Sequence, residues 1–389
     1  MSSQLSVTIS PRGEQRLRAG HPWIYRADVT DVRAHGGDTV TVIGPRQRVL
    51  GQALFSDRSQ IPIRMLTHGE AIADLTLWRR RLEAAIRFRE TLHIDASALR
   101  LVHGEADLLP SLIVDRYGDH LVVQTLSQGV DRLLPEITRL LVEILSPAGI
   151  LARNDPRVRL LEGLEQRVEV LHGTVPESVI VREGPVEYEV DLRKGQKTGL
   201  FLDQRENKDA AARYARGRLL DCFSYHGGFA LRLAKQCDEV EAVDVSADAV
   251  LRIQSNAIRN GVPHVQAREA NVFDELRRLE KTDRRYDTIV LDPPAFAKNK
   301  ASVPNALAGY KDINLRAMRL LAPGGYLVTC SCSYNVNEAM FEEMLHEASI
   351  DSHTAVTIVE KRIQGRDHPV LIGVSETYYL KCFILRRVE

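Results

Sequence analysis

The second half of the chain alternates short apolar runs with amphipathic stretches. From about residue 190, strand-like runs such as RLLDCFSY, EVEAVDV and YDTIVLD are separated by helix-like stretches such as SADAVLRIQSNAIRNG. Strands that alternate with helices are typical of a parallel sheet covered by helices on both faces. The sequence therefore predicts an α/β fold with a doubly wound sheet here.

The first half has a different texture, and 389 residues are too many for one ordinary domain. Up to about residue 70, short strands are punctuated by glycine and proline around one helix-like stretch, which favours a small β-barrel. The next block reads as α+β, with a helix over Thr76–Leu92 and a hairpin turn at Asp115–Asp119. We predict domains at 1–72, 73–184 and 185–389.

Composition narrows the class of protein. No run approaches the roughly 18 apolar residues of a membrane helix, so we expect no membrane association. The five cysteines show neither a disulfide framework nor metal spacing, which favours a reduced cytoplasm and no metal site. Net charge is zero, but residues 1–100 hold 15 arginines, 10 acidic residues and no lysine. Arginine suits phosphate, although a solvated surface explains such a bias equally well.

The first strand of the α/β half runs into a glycine-containing loop, LLDCFSYHGGF, and the second ends in EAVDVS. Adjacent glycines let a ligand approach the backbone, and Asp244 suits the two hydroxyls of a ribose. Ser246 is expected to cap the next helix. This pair resembles motifs I and II of class I S-adenosylmethionine (SAM) methyltransferases. The alternative is an NAD-type domain, which the missing G-x-G-x-x-G fingerprint disfavours.

That resemblance implies SAM as the cofactor. Asn271 stands where an acid often meets the adenine amino group, and we expect its side-chain oxygen to accept that hydrogen bond. KGQKTGLFLDQREN resembles a motif that closes over SAM in one branch of RNA methyltransferases; the alternative is a loop and a helix capped by Asp203. The implied SAM contacts are Thr198, Phe201, Gln204, Arg205, Asp221, Phe223, Ser224, Gly227, Gly228, Asp244, Val245, Asn271, Val272 and Asp292.

Two further motifs carry the chemistry. The fourth strand ends in Asp292-Pro293-Pro294, a type of motif that holds the amino group of a base. In the class I strand order, 3-2-1-4-5-7-6, the fifth strand GYLVTCSCS lies beside it, which brings Cys332 near Asp292. A thiolate there could add to C6 of a pyrimidine and activate C5. Alone, a strand cysteine is usually core; we interpret Cys330 as packing, with the nucleophile as its alternative role.

At DPPAFAKNK, GYKDINLRAMRLLAPGG and TCSCS the chain resembles bacterial large-subunit ribosomal RNA cytosine-C5 methyltransferases. That family implies an N-terminal PUA β-barrel, a central EEHEE domain and a seven-stranded class I SAM domain. It implies methylation of one cytosine in 23S ribosomal RNA, with Cys332 as nucleophile and Asp292 holding the base. Another branch carries a second cysteine where this chain has Ala295.

The expected partner is 23S ribosomal RNA or a large-subunit precursor, and related enzymes make a homodimer an option. We predict RNA contacts in the first domain, with Trp23 and Tyr25 as alternative members of a small core. The predicted contacts are Arg12, Arg16, Arg18, His21 and Tyr25. Two other functions stay open: methylation of a base nitrogen without a thiol, and an assembly protein with a degenerate SAM fold.

Overall fold

The computed structural model describes residues 5–297 and 299–389. The chain divides into two compact units. The first unit contains the described residues up to Val181, together with Val190–Leu202 and Arg366–Thr377. The second unit contains Arg182–Glu189, Asp203–Gly365 and Tyr378–Glu389. The predicted boundaries after residues 72 and 184 stay predictions, and two segments of the predicted third domain group with the first unit.

The first sheet of the first unit has six strands, and one α-helix lies among them in the sequence. Its elements are β1 (Ser6–Ile9), α1 (Pro11–Arg18), β2 (Trp23–Ile24), β3 (Val29–Arg33), β4 (Thr39–Ile43), β5 (Val49–Phe55) and β6 (Ile63–Met65). The strand order is β2-β6-β5-β4-β1-β3. Helix α1 starts where the side chain of Ser10 accepts the amide proton of Gly13, and a small core forms around Val7, Val42 and Ile63.

The second sheet of the first unit has five strands. The elements are α2 (Leu75–Thr91), β7 (Ala98–His103), β8 (Leu112–Tyr117), β9 (His120–Thr125), α3 (Gln128–Arg132), α4 (Leu134–Leu145), β10 (Gly149–Asn154), α5 (Val158–Leu161) and β11 (Arg167–Gly173). The strand order is β11-β10-β9-β8-β7. The turn predicted at Asp115–Asp119 is wrong at its start, because Asp115 lies inside β8 and is fully buried.

A hairpin of β12 (Ser178–Glu183) and β13 (Val186–Asp191) follows as a separate two-stranded sheet. Its residues are shared between the two units. Across the described residues, no helix is both long enough and apolar enough to cross a membrane.

The second unit has the α/β sheet that the alternating sequence pattern predicts. Its elements are α6 (Arg205–Ala212), β14 (Gly217–Cys222), α7 (Gly228–Leu233), β15 (Cys237–Asp244), α8 (Ala247–Arg259), β16 (Val265–Glu269), α9 (Val272–Leu279), β17 (Tyr286–Leu291), α10 (Val303–Leu320), β18 (Leu321–Ser331), α11 (Glu338–Ser352), β19 (Val356–Arg362) and β20 (Lys381–Arg387). The order is β16-β15-β14-β17-β18-β20-β19, which confirms the predicted seven-stranded order 3-2-1-4-5-7-6.

The inner strands of this sheet are apolar on both faces because helices cover both sides. Leu220, Ile289 and Leu327 are buried on neighbouring strands, and Ile313 and Phe341 pack on them from helices. Strands β14, β15, β17 and β18 are mutually parallel. Their carboxyl ends therefore meet at one edge of the sheet, where a ligand site is expected.

Candidate active site

The end of β14 presents a buried carboxylate. The Oδ2 atom of Asp221 accepts hydrogen bonds from the Ser224 hydroxyl at 2.5 Å and from the Ala230 amide at 2.9 Å. Its Oδ1 atom is buried and has no hydrogen-bond partner among the described residues. Burial raises the pKa of Asp221 to about 7, and the nearby charges of Asp292 and Asp244 act in the same direction. The unpaired oxygen is suited to accept a hydrogen bond from a polar ligand.

The loop between β14 and α7 is tightly wound. Phe223 and Tyr225 have φ angles of 62° and 52°, and the Ser224 amide donates to the carbonyl of Val243 at 3.1 Å. Gly227 has a φ of 81°, where glycine carries no steric penalty. A Cβ at Gly228 would meet only the side chain of Lys208, at 3.4 Å. Of the two adjacent glycines, only Gly227 is required by the backbone conformation.

Asp244 ends β15, beside the same loop. Its Oδ2 accepts the Tyr225 amide proton at 2.9 Å, and its Oδ1 accepts the Ser246 amide proton at 3.0 Å. Each oxygen therefore still has a lone pair for a ribose hydroxyl. Val245 is exposed next to it, and Ser246 caps α8 through the Ala249 amide, as expected.

The next predicted contact residue, Asn271, caps a helix. Its side-chain oxygen accepts the amide protons of Phe273 at 3.0 Å and Asp274 at 3.4 Å, and α9 begins directly after it. The oxygen that we expected to meet the adenine amino group thus already bonds to the helix. The side-chain NH2 group is the part of Asn271 that could donate to a ring nitrogen instead. Val272, which follows, is buried in the core.

The carboxylate of Asp292, directly after β17, is held by an amide. The Gln204 side chain donates from Nε2 to Asp292 Oδ1 at 2.8 Å, and its own oxygen accepts from Asn207 at 2.7 Å. Gln204 is 3% exposed, so this amide is fixed in orientation. A residue predicted to contact SAM therefore orients the carboxylate predicted to hold the base.

The other residues of the KGQKTGLFLDQREN stretch have partners of their own. Arg205 is buried with its Nε 3.9 Å from Glu183, which also pairs with Lys208. In the first unit, the Thr198 hydroxyl donates to Asp115 at 2.6 Å and is 1% exposed. The ring of Phe201 lies under the ammonium of Lys197 at 4.5 Å. For Arg205, Thr198 and Phe201, contact with SAM stays a prediction.

Cys332 lies one residue beyond β18. It is partly exposed, and its thiol donates to the carbonyl of Pro293 at 3.7 Å. Cys330 is fully buried and faces Cys382 across the sheet, and burial raises the pKa of its thiol well above the ordinary value. Cys222 is buried in the same way. Of the cysteines at the end of β18, only Cys332 combines exposure with contact to the D-P-P loop.

Three residues that sequence reasoning missed fix the position of Cys332. The Ser333 hydroxyl accepts the Ala297 amide proton at 3.1 Å and lies 2.9 Å from the Tyr310 hydroxyl. The ammonium of Lys381 donates to the Ser333 carbonyl at 2.7 Å. A lysine inside the apolar run YYLKCFI was the one visible signal, since a lone charge within a buried strand needs a partner.

The predicted RNA contacts lie around α1 and β2 in the first unit. The Arg12 Nε is 2.5 Å from the buried Asp28, and Arg18 pairs with an acid of its own helix at 2.6 Å. The Arg16 guanidinium stacks 4.5 Å from the ring of Tyr25. The Nε2 atom of His21 lies 3.5 Å from the carboxylate of Glu376. Phosphates would have to compete with these partners, and the RNA contacts stay predictions.

The alternative role of Trp23 has a specific basis. Its indole NH donates to Glu105 at 3.0 Å, and its ring packs edge-on against His21 at 5.4 Å. Such a bond anchors an aromatic side chain within a fold.

Comparison with known proteins identifies the families that this chain resembles. A PUA-like domain family matches residues 7–68, and an S-adenosylmethionine-dependent methyltransferase family matches residues 100–374. The chain is similar to "Ribosomal RNA large subunit methyltransferase I" of Shewanella denitrificans, with 37% identity, and of Aeromonas hydrophila, with 39% identity. Each alignment covers 98% of this chain and 99% of the relative.

Solved structures show the same fold. A protein described as a SAM-dependent methyltransferase from Streptococcus mutans has a TM-score of 0.84 at 19% identity. SMU.776, described as a methyltransferase and solved in complex with SAH, has a TM-score of 0.86 at 20% identity. Each superposition covers 98% of this chain and all of the other chain. The chain thus belongs to the S-adenosylmethionine-dependent methyltransferase family, in the group of ribosomal RNA large subunit methyltransferase I proteins, and SAM is its cofactor.

Proposed function

We propose that this protein makes 5-methylcytosine in 23S ribosomal RNA, with Cys332 as the nucleophile. The observation that carries the proposal is the contact of the Cys332 thiol with the Pro293 carbonyl at 3.7 Å, one residue after Asp292. Cys332 and Asp292 directly follow the neighbouring parallel strands β18 and β17. The relatives named as ribosomal RNA large subunit methyltransferases support ribosomal RNA as the substrate.

The thiolate of Cys332 forms a bond to C6 of the cytosine, and the ring electrons move onto C5, which becomes nucleophilic. Asp292, in its protonated form, binds the N3/N4 edge of the base and gives its proton to N3 as the thiolate adds, so that the negative charge passes from the ring to the carboxylate. SAM, when bound, supplies the electrophilic methyl group that C5 takes. Loss of the C5 proton then restores the C5–C6 double bond and expels the cysteine sulfur.

The proton on C5 has to leave without a second cysteine, because position 295 is alanine. Water or another side chain must accept it. The target cytosine also has to be unpaired or flipped out of a helix, because a stacked base cannot receive a thiolate at C6. The RNA contacts predicted for Arg12, Arg16, Arg18, His21 and Tyr25 would hold the surrounding strand.

Trapping tests the proposal directly. The protein is incubated with SAM and ribosomal RNA that contains 5-fluorocytosine, which has no C5 proton to lose. We expect a denaturant-resistant adduct that maps to Cys332 and names the target nucleotide. Cys332→Ala should form none, whereas the buried neighbour variant Cys330→Ala should form it. An adduct at Cys330 would contradict the proposal. So would the absence of any adduct from a protein that still transfers the methyl group to unmodified RNA.

A second candidate function is methylation of a base nitrogen. It is favoured by the fixed Gln204–Asp292 pair alone, since a carboxylate held beside a D-P-P loop can bind an amino group without a thiol. Under this function Cys332→Ala keeps most of its methyl transfer, and nucleoside analysis finds the methyl group on nitrogen.

Three remaining expectations complete the proposal. We place the protein in the cytoplasm, in keeping with its unpaired cysteines. The substrate is either 23S ribosomal RNA or a large-subunit precursor, and methylation assays on both distinguish them. Homodimer formation is measured by light scattering of the purified chain.

A further inference from the structure

A lysine lies buried behind the candidate nucleophile. Lys381 opens β20, pairs in register with Ser331 and is 1% exposed. Its Nζ donates to the Ser333 carbonyl at 2.7 Å and to the Tyr379 carbonyl at 2.9 Å. Cys332 thus lies in sequence between Ser331, which pairs with Lys381 across the two strands, and Ser333, whose carbonyl accepts a hydrogen bond from Lys381.

Among the described residues, the ammonium of Lys381 has no carboxylate partner. Within the described part of the chain, no acidic oxygen forms an ion pair with Lys381 inside 4 Å. Glu338, the acid whose charge reaches it, accepts from the Tyr378 hydroxyl at 2.8 Å and lies 3.4 Å from Lys361. Burying a cation with two neutral carbonyls as partners is expensive. The arrangement is explained if an anion forms close by.

We propose that Lys381 is a positioning residue whose buried ammonium stabilises the thiolate of Cys332. The lysine does not touch the base. It holds the backbone after Cys332 in place and provides the positive charge that favours ionisation of the neighbouring sulfur.

The electrostatics of the surrounding groups agree with this role. Burial lowers the pKa of Lys381 to about 8, and a negative charge at Cys332 raises it again. Because an interaction between two titrating groups is mutual, the ammonium must favour the thiolate equally. Tyr310 on α10 interacts electrostatically with Cys332, and Glu338 on α11 interacts with Lys381. Asp292 after β17 and Cys382 on β20 act on the buried Cys330, two residues before Cys332. A negative charge at Glu338 raises the pKa of Lys381 and so favours its ammonium form, and that ammonium in turn favours the Cys332 thiolate.

Alkylation of Cys332 tests the claim. The full-length protein is treated briefly with iodoacetamide at pH values from 5.5 to 10 (a chosen range around the ordinary thiol pKa of ~8.5), and fragment mass spectra locate the modified sulfur. We expect the wild-type rate to have its midpoint below pH ~8.5. Lys381→Met should raise the midpoint by about one pH unit, so that alkylation well below it slows about tenfold. Lys381→Arg keeps the charge and should alkylate at a rate closer to wild type.

Two controls separate charge from folding. Lys311→Met removes a partly exposed lysine that pairs with Glu347 on the surface, and should leave the midpoint unchanged. Lys381→Gln keeps N–H donors for the carbonyls but lacks the charge, so it should behave like Lys381→Met. A wild-type midpoint at or above pH ~8.5 overturns the proposal, even if no variant folds. An unchanged midpoint in folded Lys381→Met or Lys381→Gln also overturns it.

The catalytic consequence of Lys381 rests on the proposed function, but the alkylation assay does not. It requires neither RNA nor SAM, and it reports the ionisation of the thiol itself. If the alkylation midpoint of Cys332 is lowered but no 5-fluorocytosine adduct forms, the result counts against the methylation mechanism alone. If the 5-fluorocytosine adduct forms but the alkylation midpoint of Cys332 is that of an ordinary thiol, the result counts against the role of Lys381 alone.

Discussion

The buried carboxylate of Asp221 should make the protein less stable as the pH rises from about 4 to about 7. We consider the substitution Asp221→Asn, which keeps the size of the side chain and an oxygen for the Ser224 and Ala230 donors, and which removes the titrating group. It also places an NH2 group or an oxygen at the buried position that has no partner among the described residues.

The magnitude follows from the pKa of this carboxyl. Burial raises it from an ordinary value of 3.8 to about 7. The unfolded chain therefore releases the proton near pH 4, whereas the folded chain retains it until about pH 7. Raising the pH across this window disfavours the folded state, by about 4 kcal/mol at ~1.36 kcal/mol per pKa unit. Below the window the loss vanishes, and above it the loss stops growing.

Thermal unfolding of wild type and Asp221→Asn, without SAM, measures this loss from pH 4 to pH 8. The difference between the two free energies of unfolding should grow by about 4 kcal/mol in favour of the variant. For a domain of this size that corresponds to about 10 °C in the difference between their midpoints. The growth with pH is the predicted quantity, because any fixed cost of the substitution cancels.

Two variants control the measurement. Asp238→Asn removes an exposed acid of the same unit and controls for the loss of one negative charge. Ser224→Ala removes a hydroxyl that favours the ionised form of Asp221, so its pKa should rise further and the loss should extend to higher pH. A wild-type minus Asp221→Asn difference that is flat from pH 4 to pH 8 would refute the reasoning.

Two further predictions concern the site and the core. Gln204→Leu removes the amide that orients Asp292. Since a hydrogen bond to a charged group contributes about 1.5–3 kcal/mol, methyl transfer to ribosomal RNA should fall at least about tenfold, while SAM affinity measured by calorimetry should change little. A large loss of SAM affinity with methyl transfer little changed would mean that Gln204 contacts SAM directly. Phe341→Ala empties a fully buried position between α10 and β20 and should lower the free energy of unfolding by about 3–5 kcal/mol in denaturant titrations, with a loss under about 1 kcal/mol as the contradicting result.

Sequence patterns predicted most of the second unit because its signals are local. The alternation of strands and helices predicted the parallel α/β sheet, and the resemblance to class I SAM methyltransferases implied its strand order. Ser246 was predicted as a helix cap from its position after a strand. In the first sheet, the sequence pattern predicts strands at LSVTI, DTVTVIG, RVLGQALF and IPIRML, and it misses β2 and β3. β2 has only two residues, and β3 is largely exposed and carries charge, so neither shows an apolar alternation.

The grouping of segments into units also escaped prediction. Arg366–Thr377 lies between β19 and β20 of the second unit in sequence but belongs to the first unit. Asp367 explains this placement, since its buried carboxylate accepts the Arg100 amide proton at 3.0 Å and its carbonyl accepts from Arg89 at 2.9 Å. Such bonds join residues more than 250 positions apart, and no local pattern encodes them.

In the second unit, the amino-acid sequence by itself indicated most of the strands and the reactive side chains near their ends, because hydrophobic periodicity and turn residues act over a few positions. Tertiary structure alone decided which side chains meet. Gln204 lies 88 positions from the carboxylate it orients, and Lys381 lies 48 positions from the carbonyl it binds. It also decided that Cys332 is reachable while Cys330 is sealed, since burial depends on the packing of distant helices over the sheet.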